Sequence, residues 1–335
     1  MNANQARDGA LRIGVDIGGT KLHAVVARAD GTVLGRARKK TKPELGVEAV
    51  MERVAEVLDE ACRDAAVSLD DAAAVGVAAP APVRADGSIV FAPNLNWRNV
   101  PLTNILTQRL RRPVFAENDC NLGALAEFEF GVGREAQMLA ALFMGTGLGG
   151  GIVHQGKVWS GVNRLAAEIG HMIIHLDGRP CGCGQRGCLE AYASKTAMAR
   201  RFQEEVVVKK RPTLLQTDGI LDYANLRSGL LAEAFRRGDE VTREIVLEAA
   251  YFLGVGVGNI ITLLGPDVVV LGGGVVEALG DPLLDVVRNA AQKHVFPPAS
   301  FHAARLVKAA LGDDAVALGA AAYAFNEQAR NGREA

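Results

Sequence analysis

The sequence has almost no excess of charge and no block of one sign. Its 37 Lys and Arg residues offset 38 Asp and Glu for a formal net charge of −1, and no run of Lys or Arg dominates a segment. The electrostatic footprint that nucleic acid or an anionic membrane requires is missing, so neither is an expected partner. Long apolar runs are missing as well. No stretch of about 18 residues passes without a charge or a glycine-rich break, and no spanning helix is expected. The leading MNANQARDGA has neither an apolar signal core nor a long Arg-rich amphipathic stretch, which points to the cytoplasm. Cysteine is sparse and unevenly placed: of five, Cys181, Cys183 and Cys188 crowd into one loop, where a secreted disulfide framework would spread them. Metal binding is the better expectation for that loop.

What is present suits a globular enzyme acting on a small molecule. The 335 residues exceed what one hydrophobic core organises, which favours two domains, and 49% hydrophobic with 22% charged residues can build them. The chain opens as strand, turn, strand: LRIGVDI, then Gly18-Gly19-Thr20-Lys21, then LHAVVARA, with Asp30-Gly31 as a second hairpin turn. Val47, Val50, Val54, Val57, Leu58 and Ala61 repeat at helical spacing over 46–66. AAAVGVAAP, PLTNILTQRL and PVFA then read as strand, helix and strand, giving a βββαβα pattern. A second round starts after Asn118 with the helix NLGALAEF, the strand MLAALFM, a glycine-rich turn and the strand GGIVHQG. Residues 194–264 read as mostly helical, followed by the buried strand DVVVLGGG, the helix PLLDVVRNAAQKHV, the segment ARLVKAAL and an apolar closing helix. Residues 329–335 read as a polar tail.

Three glycine clusters and one carboxylate turn are the candidate chemistry. Asp16-Ile17-Gly18-Gly19-Thr20-Lys21 sits where two strands reverse, and its glycines let backbone N–H groups approach phosphate oxygens; an ordinary glycine hairpin explains the string equally well. Asp16, at the end of the first strand, suits Mg2+ held through water. Gly145-Thr146-Gly147-Leu148-Gly149-Gly150-Gly151 contains a formal G-x-G-x-x-G, but the residues that follow alternate like a strand and open no helix, so a phosphate hairpin is expected rather than a dinucleotide fold. Gly272, Gly273 and Gly274 follow a buried strand and face a nucleoside or simply make a tight strand-to-helix turn. In Glu117-Asn118-Asp119-Cys120-Asn121, Asp119 is either a helix cap or a general base that takes the proton of an attacking hydroxyl.

His171, Cys181, Cys183 and Cys188 form H-x9-C-x-C-x4-C within GHMIIHLDGRPCGCGQRGCLE. Three thiolates and one imidazole are the inventory of a closed, structural Zn2+ site with no open position for chemistry. Glu168 and Glu190 flank this segment and can accept hydrogen bonds from sugar hydroxyls, or else are solvated charges.

Together these strings, above all AAEIGH followed by CGCGQRGCLE, resemble the ROK family of sugar kinases in the actin-like ATPase superfamily, from DIGGTK to the last helix. The resemblance implies an α/β, two-lobed actin-like ATPase (ribonuclease H-like) fold with ATP and sugar bound between the lobes. The expected lobes are 1–118 plus the closing helix over about 312–330, and 119–311 with the zinc loop. It implies Asp119 as the base, and Asn94, Asn118, Asp119, Glu168, His171 and Glu190 around the sugar. It sets Asp16, Gly18, Gly19, Thr20, Lys21, Thr146 and Gly147 at the phosphates of ATP with Mg2+, and Gly272, Gly273 and Gly274 at the nucleoside. Ala78, Ala81, Arg164 and Ala167 stand where the family commonly has glycine. The implied reaction is phosphorylation of a hexose, with glucose first and N-acetylmannosamine, N-acetylglucosamine, mannose or fructose as alternatives. A homodimer or homotetramer is expected. The rival is a sugar-responsive ROK regulator, disfavoured because about ten residues before the first strand are too few for a helix-turn-helix.

Overall fold

The computed structural model describes residues 11–216, 222 and 226–334. The leading MNANQARDGA, residues 217–221 and 223–225 of the expected helical stretch, and Ala335 lie outside the described residues. The chain divides into two compact units: residues 1–135, 151–167 and 310–335, and residues 136–150 and 168–309.

In the first unit, β1 (Arg12–Ile17), β2 (Lys21–Ala27), β3 (Val33–Lys40), β4 (Val75–Ala79) and β7 (Val114–Asn118) form a sheet of order β3-β2-β1-β4-β7. The first three strands are an antiparallel meander, while β1, β4 and β7 run parallel, with Asp16 opposite Ala78 and Ala78 opposite Glu117. The carboxyl ends of three parallel strands therefore lie side by side, the edge where open α/β sheets take ligands. Strand alternation sends Ile13, Val15 and Ile17 into a core shared with Val50, Val54, Val57 and Leu58 of α1 (Val47–Asp64). Gly14 and Asp16 belong to the opposite face.

That opposite face is covered by the closing helix, α10 (Ala315–Glu334), which packs on β1, β4 and α3 (Asp119–Glu129). Contact is so close that a Cβ at Gly14 would lie 2.2 Å from the Ala317 carbonyl oxygen, and one at Gly76 1.8 Å from that of Ala320. The run of alanines in α10 is what lets the helix axis reach the sheet. The helix continues to Glu334, so the polar tail expected over 329–335 is helical up to that residue. The first unit also runs past the expected boundary at 118 to Glu135, because α3 packs on α10. A hairpin of β5 (Ile89–Ala92) and β6 (Trp97–Val100) precedes α2 (Leu102–Leu110) and adds to the expected βββαβα order.

The second sheet has order β10-β9-β8-β11-β12, from β8 (Met138–Met144), β9 (Leu148–His154), β10 (Lys157–Val158), β11 (Val268–Gly272) and β12 (Arg305–Lys308). β11 pairs in parallel with β8 and β12. Its helices include α4 (Lys195–Phe202), α5 (Ser228–Arg236), α6 (Glu240–Leu264), α7 (Gly274–Leu279), α8 (Asp281–His294) and α9 (Ala299–Ala303). Contrary to the sequence expectation, α6 is long and apolar enough to cross a membrane. Its buried Val246, Ala250, Leu253 and Val257 nevertheless belong to the packed interior, where it pairs with α8.

Candidate functional site

In the first unit the candidate residues gather at the carboxyl ends of β1 and β7. The turn after β1 closes with the Gly18 N–H donating to the Lys21 carbonyl (2.9 Å), and Thr41 pins it: its hydroxyl donates to Gly18 O (2.6 Å) and its N–H to Thr20 O (3.0 Å). Thr41 is fully buried, and nothing in its sequence setting marks it. Gly19 packs on Asn94, where a Cβ would lie 3.2 Å from the Asn94 Cβ and carbonyl oxygen. The structure thus brings Asn94, on the turn between β5 and β6, against the first glycine cluster. Lys21 is half-exposed, its Nζ 4.0 Å from Asp313 Oδ2.

Asn118 caps α3. Its Oδ1 accepts from the N–H groups of Cys120 (2.9 Å) and Asn121 (3.2 Å), satisfying two donors of the first turn. The capping role left open for this turn is therefore filled by Asn118, and Asp119 is the first helical residue, one oxygen accepting the Cys120 N–H at 2.8 Å. Asp119 lies near enough to Asp16 for its charge to act on it. Burial, reinforced by Asp119 and opposed by Lys21, pushes the Asp16 carboxyl from its ordinary 3.8 to about 7. A carboxyl raised in this way beside a second carboxylate is a common feature of sites that divide acid, base and metal-binding roles.

Sequence reasoning passed over Glu117. It is 1% exposed, accepts from the Asn118 N–H (2.9 Å) and Asn121 Nδ2 (3.2 Å) on one oxygen, and meets Arg164 with the other. Its signal was its place in a buried strand, where a charged group requires a partner. Ala78 and Ala81, standing at positions of usual glycine, are both buried. Arg164 and Ala167 adopt φ of 58° and 66°, the left-handed region where glycine is at ease.

In the second unit, the turn between β8 and β9 closes with the Gly145 N–H donating to Gly147 O (2.9 Å). The chain continues as a strand, as expected, and not as the helix of a dinucleotide fingerprint. The N–H groups of Lys195 and Thr196, at the start of α4, hold the carbonyls of Gly145 (3.0 Å) and Thr146 (3.1 Å). Glu190 braces the same turn: its Oε2 accepts the Leu148 N–H at 2.9 Å, and a Cβ on Gly147 would meet that oxygen at 2.4 Å. The third cluster has a steric reason of its own. Gly273 has φ 89°, and a Cβ there would lie 2.6 Å from the Met144 carbonyl oxygen.

His171, Cys181, Cys183 and Cys188 converge, with one ligand atom of each lying within 4.8 Å of all the others. Cys183 Sγ is 3.7 Å from Cys188 Sγ, and Cys181 Sγ is 3.8 Å from His171 Nδ1. Tetrahedral Zn–S bonds of about 2.3 Å set ligand-to-ligand edges of about 3.8 Å, which these two pairs match, so the donor set fits a zinc ion. The loop has little else to order it. Its apolar cluster is Cys181, Cys188, Ala191 and Tyr192, with Ile174 and Phe252 packed against it. Burial pushes the Cys181 thiol up to about 12, a barrier that a coordinated dication removes by taking the proton's place.

Glu168, just before the short turn Ile169–His171, and Glu190, within the turn Leu189–Ala191, stand beside this cluster. Burial holds the Glu168 carboxyl above its ordinary range, His171 opposing and Glu190 reinforcing the shift. Glu190 Oε1 lies 3.5 Å from Cys181 Sγ. One carboxylate thus links the metal-ligand set to the glycine turn before β9.

The ROK family pattern matches residues 12–327. The chain belongs to the ROK family. It is 37% identical over 316 residues to the glucokinase of Thermotoga maritima, covering 92% of this chain and 95% of that one. A xylose repressor of Caldicellulosiruptor bescii is 28% identical over 319 residues, 94% of this chain and 78% of the repressor. Among solved structures, the ROK hexokinase of Thermus thermophilus superposes with a TM-score of 0.81 at 33% identity, covering 96% of this chain and 99% of that one. A ROK glucokinase of Streptomyces griseus in complex with glucose and AMPPNP superposes at 0.80 with 33% identity, covering 95% and 100%. The fold class of this ROK protein is the two-lobed actin-like ATPase fold.

Proposed function

We propose that this ROK protein is an ATP-dependent hexose kinase that phosphorylates glucose on its 6-hydroxyl, with Asp119 as general base. The observation that carries the reading is the carboxylate pair at the ends of β1 and β7: Asp119 on the capped first turn of α3, and Asp16 held near neutrality beside it. Asp119 takes the hydroxyl proton as the sugar oxygen bonds to the γ-phosphorus, the bond from that phosphorus to the bridging oxygen breaks, and ADP departs. Asp16 would hold, through water, the Mg2+ that accompanies ATP, a cation whose charge would favour the ionised carboxylate. Thr20, Lys21, Thr146 and Gly147 with the first two glycine turns meet the phosphates, and Gly272–Gly274 the nucleoside.

Asn94, Asn118, Glu168, His171 and Glu190 bind the sugar hydroxyls in this reading. His171, Cys181, Cys183 and Cys188 hold a structural Zn2+ that supplies order to the loop and no step of the reaction. With Nδ1 turned to the thiols, His171 keeps Nε2 for a hydroxyl. The reading makes the protein a cytoplasmic glycolytic enzyme, acting as a homodimer or homotetramer.

A coupled assay of ADP release against glucose, mannose, fructose, N-acetylmannosamine and N-acetylglucosamine tests it, with polyphosphate as an alternative donor. Glucose with ATP is expected to give the highest kcat/KM. No turnover with any hexose contradicts the reading.

A further inference from the structure

We infer that Arg164 is a positioning residue for the Asn118–Asp119 turn, acting through Glu117; the inference rests on the proposed role of Asp119. Arg164 has φ 58°, in the left-handed region that a non-glycine residue enters only at a cost. Those contacts are specific. One terminal nitrogen of its guanidinium donates to Glu117 Oε2 at 2.6 Å and to the Tyr323 hydroxyl at 2.5 Å. Burial and the Glu117 charge, opposed by Arg164, push the Tyr323 phenol up to about 12, so it stays neutral and accepts this bond.

Glu117 passes the constraint on. While Oε2 is held by Arg164, Oε1 accepts from the Asn118 N–H and from Asn121 Nδ2, one residue before and two residues after Asp119. Asn118 in turn caps α3 through its own Oδ1. The orientation of Asp119 at the head of α3 is therefore set by a chain of hydrogen bonds: Tyr323 on α10, Arg164 on the loop over 159–167, Glu117 at the end of β7, and the helix cap. Removing Arg164 leaves the buried Glu117 charge without its cation, and the carboxylate that steadies the turn must rotate, take up a proton or admit water. A misplacement of the base by a fraction of an ångström is enough to slow proton transfer without abolishing sugar binding.

The position also supplies its own control. Glycine accepts φ 58° without strain, so R164G removes the guanidinium while easing the backbone. Arg164, Tyr323 and Glu327 line a cavity of about 300 Å³, which in R164G can admit a guanidinium ion from solution.

The test measures kcat, glucose KM and thermal midpoint for wild type, R164G, R164Q, R164K, E117Q, R164G/E117Q and D119N. R164G is expected to lose about tenfold in kcat with glucose KM changed less than about threefold, and to lower the thermal midpoint less than R164Q does, because glycine relieves the left-handed backbone. R164K, and millimolar guanidinium added to R164G, are expected to restore part of the loss. In the E117Q background R164G is expected to cost nothing further. R164Q gives the same reading should R164G not accumulate. Wild-type kcat in folded R164G or R164Q, or losses that multiply in the double variant, contradict the inference. If D119N is inactive and R164G is not, Arg164 alone is misassigned; if D119N turns over normally, the base assignment fails and this inference with it.

Discussion

Glu190 Oε2 accepts the Leu148 backbone N–H at 2.9 Å, so a carboxylate from the metal-ligand loop braces the glycine turn before β9. In the proposed reading, sugar recognition and phosphate positioning thereby share one side chain. E190Q retains an acceptor for Leu148 but loses the charge, whereas E190A loses both. E190Q is expected to raise glucose KM about tenfold with ATP KM nearly unchanged, and E190A to raise both. Steady-state kinetics with each substrate varied decides it, and equal effects of the two substitutions on ATP KM refute the brace.

The cysteine loop orders itself around few apolar side chains, so the proposed zinc and the order of the loop are linked. C183S is expected to lower zinc content by elemental analysis, to cost on the order of 3 kcal/mol of stability, and to weaken glucose binding. Exhaustive chelation should do the same to the wild type. A metal-free protein with full activity and an unchanged melting curve contradicts the structural role.

Asp16 gives the protein a pH dependence of known sign. Its carboxyl keeps a proton up to about 7 in the folded chain but only to its ordinary 3.8 when unfolded. Between those values the native state binds more protons, so the contribution of Asp16 to stability is full below the lower value and is lost as pH rises through the upper one. D16N removes the titration. Across pH 4 to 8, without nucleotide or Mg2+, the wild-type melting midpoint is expected to fall relative to that of D16N. Parallel curves show that Asp16 does not titrate in this range.

Gly273 combines a left-handed backbone with a backbone carbonyl where its Cβ would be. G273A is expected to cost about 2 kcal/mol or more in urea unfolding, because neither neighbour is a flexible side-chain end. A loss within about 0.5 kcal/mol means that the turn relaxes freely.

Much of the fold was legible in the sequence because periodicity and turn chemistry agreed locally. β1 and β2 are flanked by glycine turns, α1 repeats valine at helical spacing, and DVVVL can only be a buried strand. The β5–β6 hairpin escaped notice because IVFA and WRNV are four residues each and the connection holds a proline. The end of α10 escaped because ARNGRE is polar, although the helix has room to continue beyond its packed face.

The convergence of His171, Cys181, Cys183 and Cys188 was legible too, because the four lie close together in sequence within one loop. Glu117 was not legible, since its meaning depends on Arg164, 47 positions later, and through it on Tyr323, a further 159 positions on. In a linear reading a carboxylate before a helix cap looks like a solvated charge. Only the sheet and α10 turn it into a buried pivot.

In the proposed reaction Asp119 removes the sugar proton, and the variant D119N isolates that step. Its amide keeps the shape and the acceptor of the carboxylate but cannot take the proton. Turnover of glucose with saturating ATP is expected to fall by about 100-fold or more, while glucose affinity by calorimetry stays within about threefold of the wild type. Wild-type turnover in D119N contradicts the account.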